Sequence, residues 1–120
     1  MNILRPLHTA MLISDLSASR HFYSVVLRLP EVERPLSFPG LWYQLGNYQI
    51  HLIVDKSAPN GLHNSDKWGR NHHLAFAIAD LESAKAHINV HGWEVQESAS
   101  GRPAIFLQDP DGNVIELLQS

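Results

Sequence analysis

A chain of 120 residues has the length of one compact domain, or of two small modules sharing a core. A net charge of −3 without any lysine or arginine run gives no electrostatic footprint for nucleic acid, and no apolar run reaches the length of a membrane span. With no cysteine, a disulfide framework and a thiolate metal site are both excluded, and Met1 to Leu7 lack the long apolar stretch of a signal peptide, so a cytoplasmic location is the expectation.

Leu7 to Ser14 reads as a short apolar strand. Asp15 is placed to cap a helix over Leu16 to about Leu27, with apolar residues at Leu16, Phe22, Val25 and Val26, and Pro30 ends it. Glu31 to Pro35 is a weak edge strand, since proline is confined to strand edges and ends. Leu41 to Leu45 and Tyr48 to Val54 are strands joined by a Gly46-Asn47 hairpin signal. Residues 56–71 form a connector rich in Asn, Gly, Ser and Asp, long enough to be functional or mobile. The pattern then restarts. His73 to Ile78 is a strand, Asp80 caps a helix to about His91, and Gly92 stops it. Trp93 to Gln96 and Ala104 to Gln108 are strands, Asp109-Pro110-Asp111-Gly112 is a turn, and Asn113 to Leu118 is the last strand.

Both halves therefore read β-α-β-β-β, as modules 1–55 and 72–120, and the repeat has a fixed offset of 65 residues. His8 maps onto His73 and His51 onto Glu116. Asp15-Leu16 maps onto Asp80-Leu81, Ile50 onto Ile115, and Leu52 onto Leu117. Strand alternation puts His8, Ala10 and Leu12 on one face and Thr9, Met11 and Ile13 on the other. His73, Ala75 and Ala77 likewise oppose Leu74, Phe76 and Ile78. The bulky apolar faces are expected against the helices. His8, His51, His73 and Glu116 then project from the side that carries no helix.

Three imidazoles and one carboxylate suit a borderline or harder divalent ion: Zn, Ni, Co, Fe or Mn. Such an ion polarises a substrate oxygen and stabilises an enediolate or oxyanion. His8, His73 and Glu116 alone match the facial triad of non-haem Fe(II) oxygenases, and the residues leave open whether His51 ligates or lines the pocket. The plain alternative is that each His is an ordinary strand or surface residue in a chain holding eight of them. Against it stands Glu116, which interrupts an otherwise apolar strand and so needs a partner or a pocket. Arg102 is positioned for a bidentate contact to a substrate carboxylate, or is a solvated loop arginine. Trp42 and Tyr43 alternate in one strand, so one faces a cavity or interface and the other the core. Lys67, Trp68 and Arg70 are candidates for a lid, or for plain linker surface. His72 faces away from its neighbour. His21 and His87 read as surface residues of the helices, and His63 and His91 carry no special signal.

The segments LHTAMLISDLSASRHFYSVVL, QIHL, HHLAFAIADL and FLQDPDGNVIEL resemble the vicinal oxygen chelate superfamily, the glyoxalase/bleomycin-resistance/dioxygenase group, over essentially the whole chain. The resemblance implies a single α+β domain over residues 1–120. Its two βαβββ modules would form a cupped eight-stranded mixed sheet with helices outside. It also implies one divalent metal on His8, His51, His73 and Glu116, and a homodimer that binds a small molecule rather than nucleic acid or membrane. Members resembling glyoxalase I present Glu where this chain has His51, so Glu116 is the one carboxylate left in the set and the expected catalytic group. The activity implied is that of a lyase, isomerase or epimerase working through enediolate chemistry. The alternatives are an Fe(II)-dependent dioxygenase, or a non-catalytic drug-binding protein of the bleomycin-resistance kind. No residue identifies a thiol cosubstrate.

Overall fold

Asp15 and Asp80 show how closely the chain repeats itself. Asp15 accepts a hydrogen bond from the Ala18 amide at 2.9 Å, and Asp80 one from the Ser83 amide at 3.2 Å. Each carboxylate satisfies an orphan N–H in the first turn of a helix. In the computed structural model, which describes residues 1–58 and 61–120, these helices are α1 (Leu16–Arg20) and α2 (Leu81–Val90). Pro59 and Asn60 of the connector lie outside the described residues. The strands are β1 (His8–Ile13), β2 (Glu31–Val32), β3 (Gly40–Leu45) and β4 (Tyr48–Val54), then β5 (His73–Ile78), β6 (Gln96–Glu97), β7 (Ala104–Gln108) and β8 (Val114–Gln119). Among the described residues no helix is long and apolar enough to cross a membrane.

The chain divides into two compact units, Met1–Ala58 and Pro59–Ser120. Each holds one four-stranded mixed sheet, in the order β1-β4-β3-β2 in the first and β5-β8-β7-β6 in the second. The outer pairs β1–β4 and β5–β8 are parallel and the remaining pairs antiparallel. Parallel neighbours need a crossover between them, which the helix and the middle strands supply.

In the first unit Ile13, Leu41, Tyr43, Ile50 and Leu52 form the core with Phe22, Tyr23 and Val26, all at most 2% exposed. The helix expected over 16–27 is α-helical only to Arg20. His21–Val26 is a π-helical turn, with the Leu27 amide donating to Phe22 at 2.9 Å. The wider turn carries the neighbours Phe22 and Tyr23 into the core together. Val25, one of the apolar residues of this segment, is rotated out and is 43% exposed.

In the second unit β7 and β8 are buried on both faces. Ile105, Leu107, Ile115 and Leu117 fill one face, and Ala104, Phe106, Val114 and Glu116 the other. The connector accounts for part of that burial. Its short 3-10 turn, Trp68–Arg70, lies on the second face, so close that a Cβ on Gly69 would stand 2.6 Å from the Phe106 ring. The Gln96 side chain fastens it, accepting from the Trp68 amide and donating to the Asp66 carbonyl, both at 2.9 Å. The described part of the connector is thus a strap on the second unit. The strand expected at Trp93–Gln96 forms at Gln96–Glu97 instead, because the Trp93 amide is taken by the Ile88 carbonyl in closing α2. Likewise the edge strand expected over 31–35 shortens to Glu31–Val32. Gly69→Ala forces the strap off Phe106 and is expected to cost about 1–3 kcal/mol, read as a lowered urea midpoint with an unchanged m value.

Candidate functional site

The register of the parallel pairs positions the candidate donors. In the first unit Ala10 is opposite His51 and His8 opposite Gln49. In the second, Ala75 is opposite Glu116 and His73 opposite Val114. The two registers coincide residue for residue under the 65-residue offset. In each unit a small alanine lies across from the second donor, and the first donor sits diagonally beside it.

His73 and Glu116 meet directly. Glu116 is 4% exposed, and its Oε1 lies 3.1 Å from His73 Nε2. The other His73 nitrogen, Nδ1, faces the Asn71 carbonyl oxygen at 2.8 Å. A carbonyl only accepts, so Nδ1 carries a proton and donates it. Nε2 can then face a carboxylate oxygen in two ways, as the N–H of an imidazolium or as a lone pair with a cation between. A carbonyl acceptor on Nδ1 is also the arrangement that orients a metal-ligating imidazole. Two cis ligands about 2.1 Å from an octahedral ion are about 3.0 Å apart, so the pair is spaced as such an edge requires. These residues fit a divalent ion. The remaining Glu116 oxygen, Oε2, accepts from the Arg102 guanidinium at 3.0 Å. Arg102, expected to hold a substrate carboxylate, here holds the carboxylate of its own chain.

In the first unit the donors are stacked rather than hydrogen-bonded to one another. The His8 and His51 rings lie 4.0 Å apart at 12°, and Trp42 stacks on His51 at 4.1 Å and 8°. A chain of amides fixes His51. Gln44 Nε2 donates to the Gly46 carbonyl at 2.7 Å, and Gln49 Nε2 donates to Gln44 Oε1 at 2.7 Å. Gln49 Oε1 is left to accept from His51 Nε2–H at 2.8 Å. That places the His51 lone pair on Nδ1, so His51 offers a cation Nδ1 unless Gln49 gives way. The ring is held below its ordinary pKa of 6.5 by burial, then by the nearby His8 and Arg34. Tyr43, named with Trp42 as a substrate-facing candidate, is instead wholly buried, with its hydroxyl 2.8 Å from that of Ser24. Burial raises its phenol pKa. Trp42, on the opposite face of β3, is the one of the two that borders the donors.

Among the described residues no group of three or more His, Asp or Glu side chains is gathered as a metal site. The donors appear as the two pairs just described. The reading from sequence did not single out Asn71, Gln49 or Phe106. Asn71 acts through a backbone carbonyl, which leaves no residue-type signal. Phe106 is to Glu116 what Trp42 is to His51, its register partner across the hairpin, and its ring meets His73 edge-on at 5.5 Å. The repeat hid it, because the β7–β8 turn is longer than the β3–β4 turn and shifts the offset by one.

The description Glyoxalase/Bleomycin resistance protein/Dioxygenase superfamily matches residues 5–117, and the chain belongs to that family. It is 31% identical over 136 residues to the mitochondrial methylmalonyl-CoA epimerase of Bos taurus, covering 99% of this chain and 76% of the epimerase. It is 28% identical over 130 residues to the lactoylglutathione lyase of Salmonella typhimurium, covering 98% of this chain and 93% of the lyase. Among solved structures, a glyoxalase family protein from Bacillus anthracis superposes with a TM-score of 0.81 at 23% identity, covering 100% of this chain and 98% of that one. Two four-stranded mixed sheets, each with its helix, are thus the glyoxalase-like fold.

The titration of His51 tests the stack. Its folded pKa lies below 6.5, so the unfolded ring binds a proton more readily. The contribution to stability is therefore complete above 6.5 and is lost as pH falls from there through the depressed folded value. Proton–nitrogen correlation spectra should show His51 protonating on Nδ1 with a midpoint under 6.5, and Trp42→Ala should move that midpoint upward by exposing the ring.

Proposed function

We propose that the chain is a metal-dependent enzyme of the glyoxalase-like group, a lyase, isomerase or epimerase acting on a small substrate with adjacent oxygens. The proposed ligands are His8, His51, His73 and Glu116, for a divalent ion of the Zn, Ni, Co, Fe or Mn class. The observation that carries this reading is His73, whose Nδ1 proton is committed to Asn71 while Nε2 faces Glu116 Oε1 at 3.1 Å. Membership of a family with lyase and epimerase relatives supports it.

When bound, the ion supplies Lewis acidity beside a substrate carbonyl, which lowers the cost of removing a proton from the adjacent carbon. Glu116 is the one carboxylate of the set, and on loosening from the ion its Oε1 would accept that proton. The proton then returns to the same carbon or to its neighbour, so atoms balance without a further reactant. Arg102 pins Oε2 and so sets the plane of the carboxylate. Trp42 provides an apolar wall over His51. The assembly is read as a homodimer, which sedimentation would report as twice the 13.5 kDa chain mass.

One observation favours a second reading. The parallel rings of Trp42, His51 and His8 make a platform suited to a planar ligand, and His51 is satisfied there without any ion. A binding protein built on that platform would hold its ligand equally well with chelator present.

Elemental analysis of protein purified without metal columns separates the two. The enzyme reading expects about one ion per chain, lost in His73→Ala and Glu116→Gln while circular dichroism stays unchanged. Glu116→Gln should also reduce turnover by at least about a hundredfold on substrates that suit the metal found. Iron would direct assays to aerobic ring cleavage. Folded protein that neither contains nor takes up a divalent ion overturns the reading.

A further inference from the structure

The second unit contains a cleft of about 650 Å³ between the strap and the turn that follows β6. Gly69 and Phe106 form part of its lining, and Lys67, Arg70 and Arg102 all border it. Arg102 joins the cleft to the donor pair. One of its Nη2 protons goes to Glu116, and its Nε bonds Ser100 Oγ at 3.3 Å. A guanidinium has five N–H donors, so this one keeps an unspent edge. Lys67 and Arg70 are exposed and make no side-chain hydrogen bond or ion pair among the described residues.

The acids of the cleft do not cancel these charges. Glu97 is engaged by Lys85 at 2.5 Å, and its carboxyl pKa is lowered, first by that hydrogen bond. Arg102 is balanced by Glu116. Asp66 alone then stands against Lys67 and Arg70. A concave site lined by surplus cations concentrates anions, and a guanidinium edge matches the two oxygens of a carboxylate or phosphate. An apolar ligand would bury the same cations without partners.

We propose that this cleft binds an oxyanion, the carboxylate or phosphate group of the substrate, between Lys67, Arg70 and the free edge of Arg102. The substrate would then carry an anionic group separated from its reacting oxygens by the Arg102 guanidinium. That the anion belongs to a substrate rests on the enzyme reading, whereas the anion site itself needs no metal.

The test is a nuclear magnetic resonance titration of the full chain, in chelator and at constant ionic strength. The probes are inorganic phosphate and malonate, with Lys67→Gln/Arg70→Gln as the variant. Saturable amide shifts confined to residues 66–70 and 98–102 are expected, with affinity at least about tenfold weaker in the variant. The tighter probe identifies the group, phosphate or carboxylate. Shifts that do not saturate, or that saturate equally in the variant, overturn the proposal. Its failure is distinct from that of the enzyme reading. Saturable binding by protein that takes up no metal leaves the cleft standing and removes the enzyme. Metal uptake without saturable anion binding does the reverse.

Discussion

In each unit the first strand of the sheet pairs in parallel with the last, and that pairing decides where every candidate donor falls. Antiparallel hairpins would have put His8 and His51 at positions fixed by a turn. A parallel pair is free of that constraint, and its register is set by which face is buried. A slip of one residue would carry His51 or Glu116 to the helix side and bring Ile50, Leu52, Ile115 and Leu117, all at most 6% exposed, out of the core. The apolar packing between sheet and helix therefore enforces the donor geometry, although none of the donors takes part in it. The alanines at 10 and 75, opposite the second donor of each pair, leave room for the longer side chain across from them.

The same backbone arrangement holds two different electrostatic environments. Glu116 is a nearly buried carboxylate, and withdrawing such a charge from water costs several kcal/mol unless it is compensated. Arg102 supplies compensation on Oε2, and Oε1 faces His73 Nε2, which meets it either as an imidazolium N–H or as a lone pair with a cation between. Arg102 is itself half exposed, so its pairing is weakened by solvent and serves orientation more than stability. His51 occupies the matching position with no charge to balance. Its needs are met by one amide oxygen and two aromatic faces, and its depressed pKa keeps it neutral. The same strand position thus carries a nitrogen donor in one unit and a carboxylate oxygen in the other.

Much of this was legible in the chain. The fixed offset gave the paired modules, and alternation placed His8, His51, His73 and Glu116 on the face away from the helices. Tyr48–Val54 was bounded correctly, because a Gly-Asn turn stands before it and Asp55 after it. The losses have physical causes. The π-helical turn at His21–Val26 has no sequence period of its own, so the pattern over 16–27 reads as one unbroken helix. The strand after α2 was misplaced because the Trp93 amide goes to closing the helix rather than to a neighbouring strand. Tyr43 and Trp42 are adjacent and equally aromatic. The register of β3 on β4 decides between them, because Tyr43 pairs with the buried Ile50 and its hydroxyl meets Ser24, whereas Trp42 pairs with His51. The pattern leaves Lys67, Trp68 and Arg70 between a lid and linker surface because the strap's attachments are a glycine against Phe106, an amide side chain from β6, and the carbonyls around Asn71.

That strap explains why two copies of one module end with different surfaces. In the first unit Trp42 has a face free to stack on His51, and the amide chain from Gln44 and Gln49 fills the remaining polar need. In the second unit one face of the equivalent aromatic, Phe106, is covered by Gly69, and the ring meets His73 only by its edge. A larger residue at 69 would lift the strap and expose Phe106. It would also remove one wall of the cleft beside Arg102, since Gly69 and Phe106 both line it. The strap brings Lys67 and Arg70 to that cleft as it covers the sheet, so these two cations enter through the segment that the repeat does not contain.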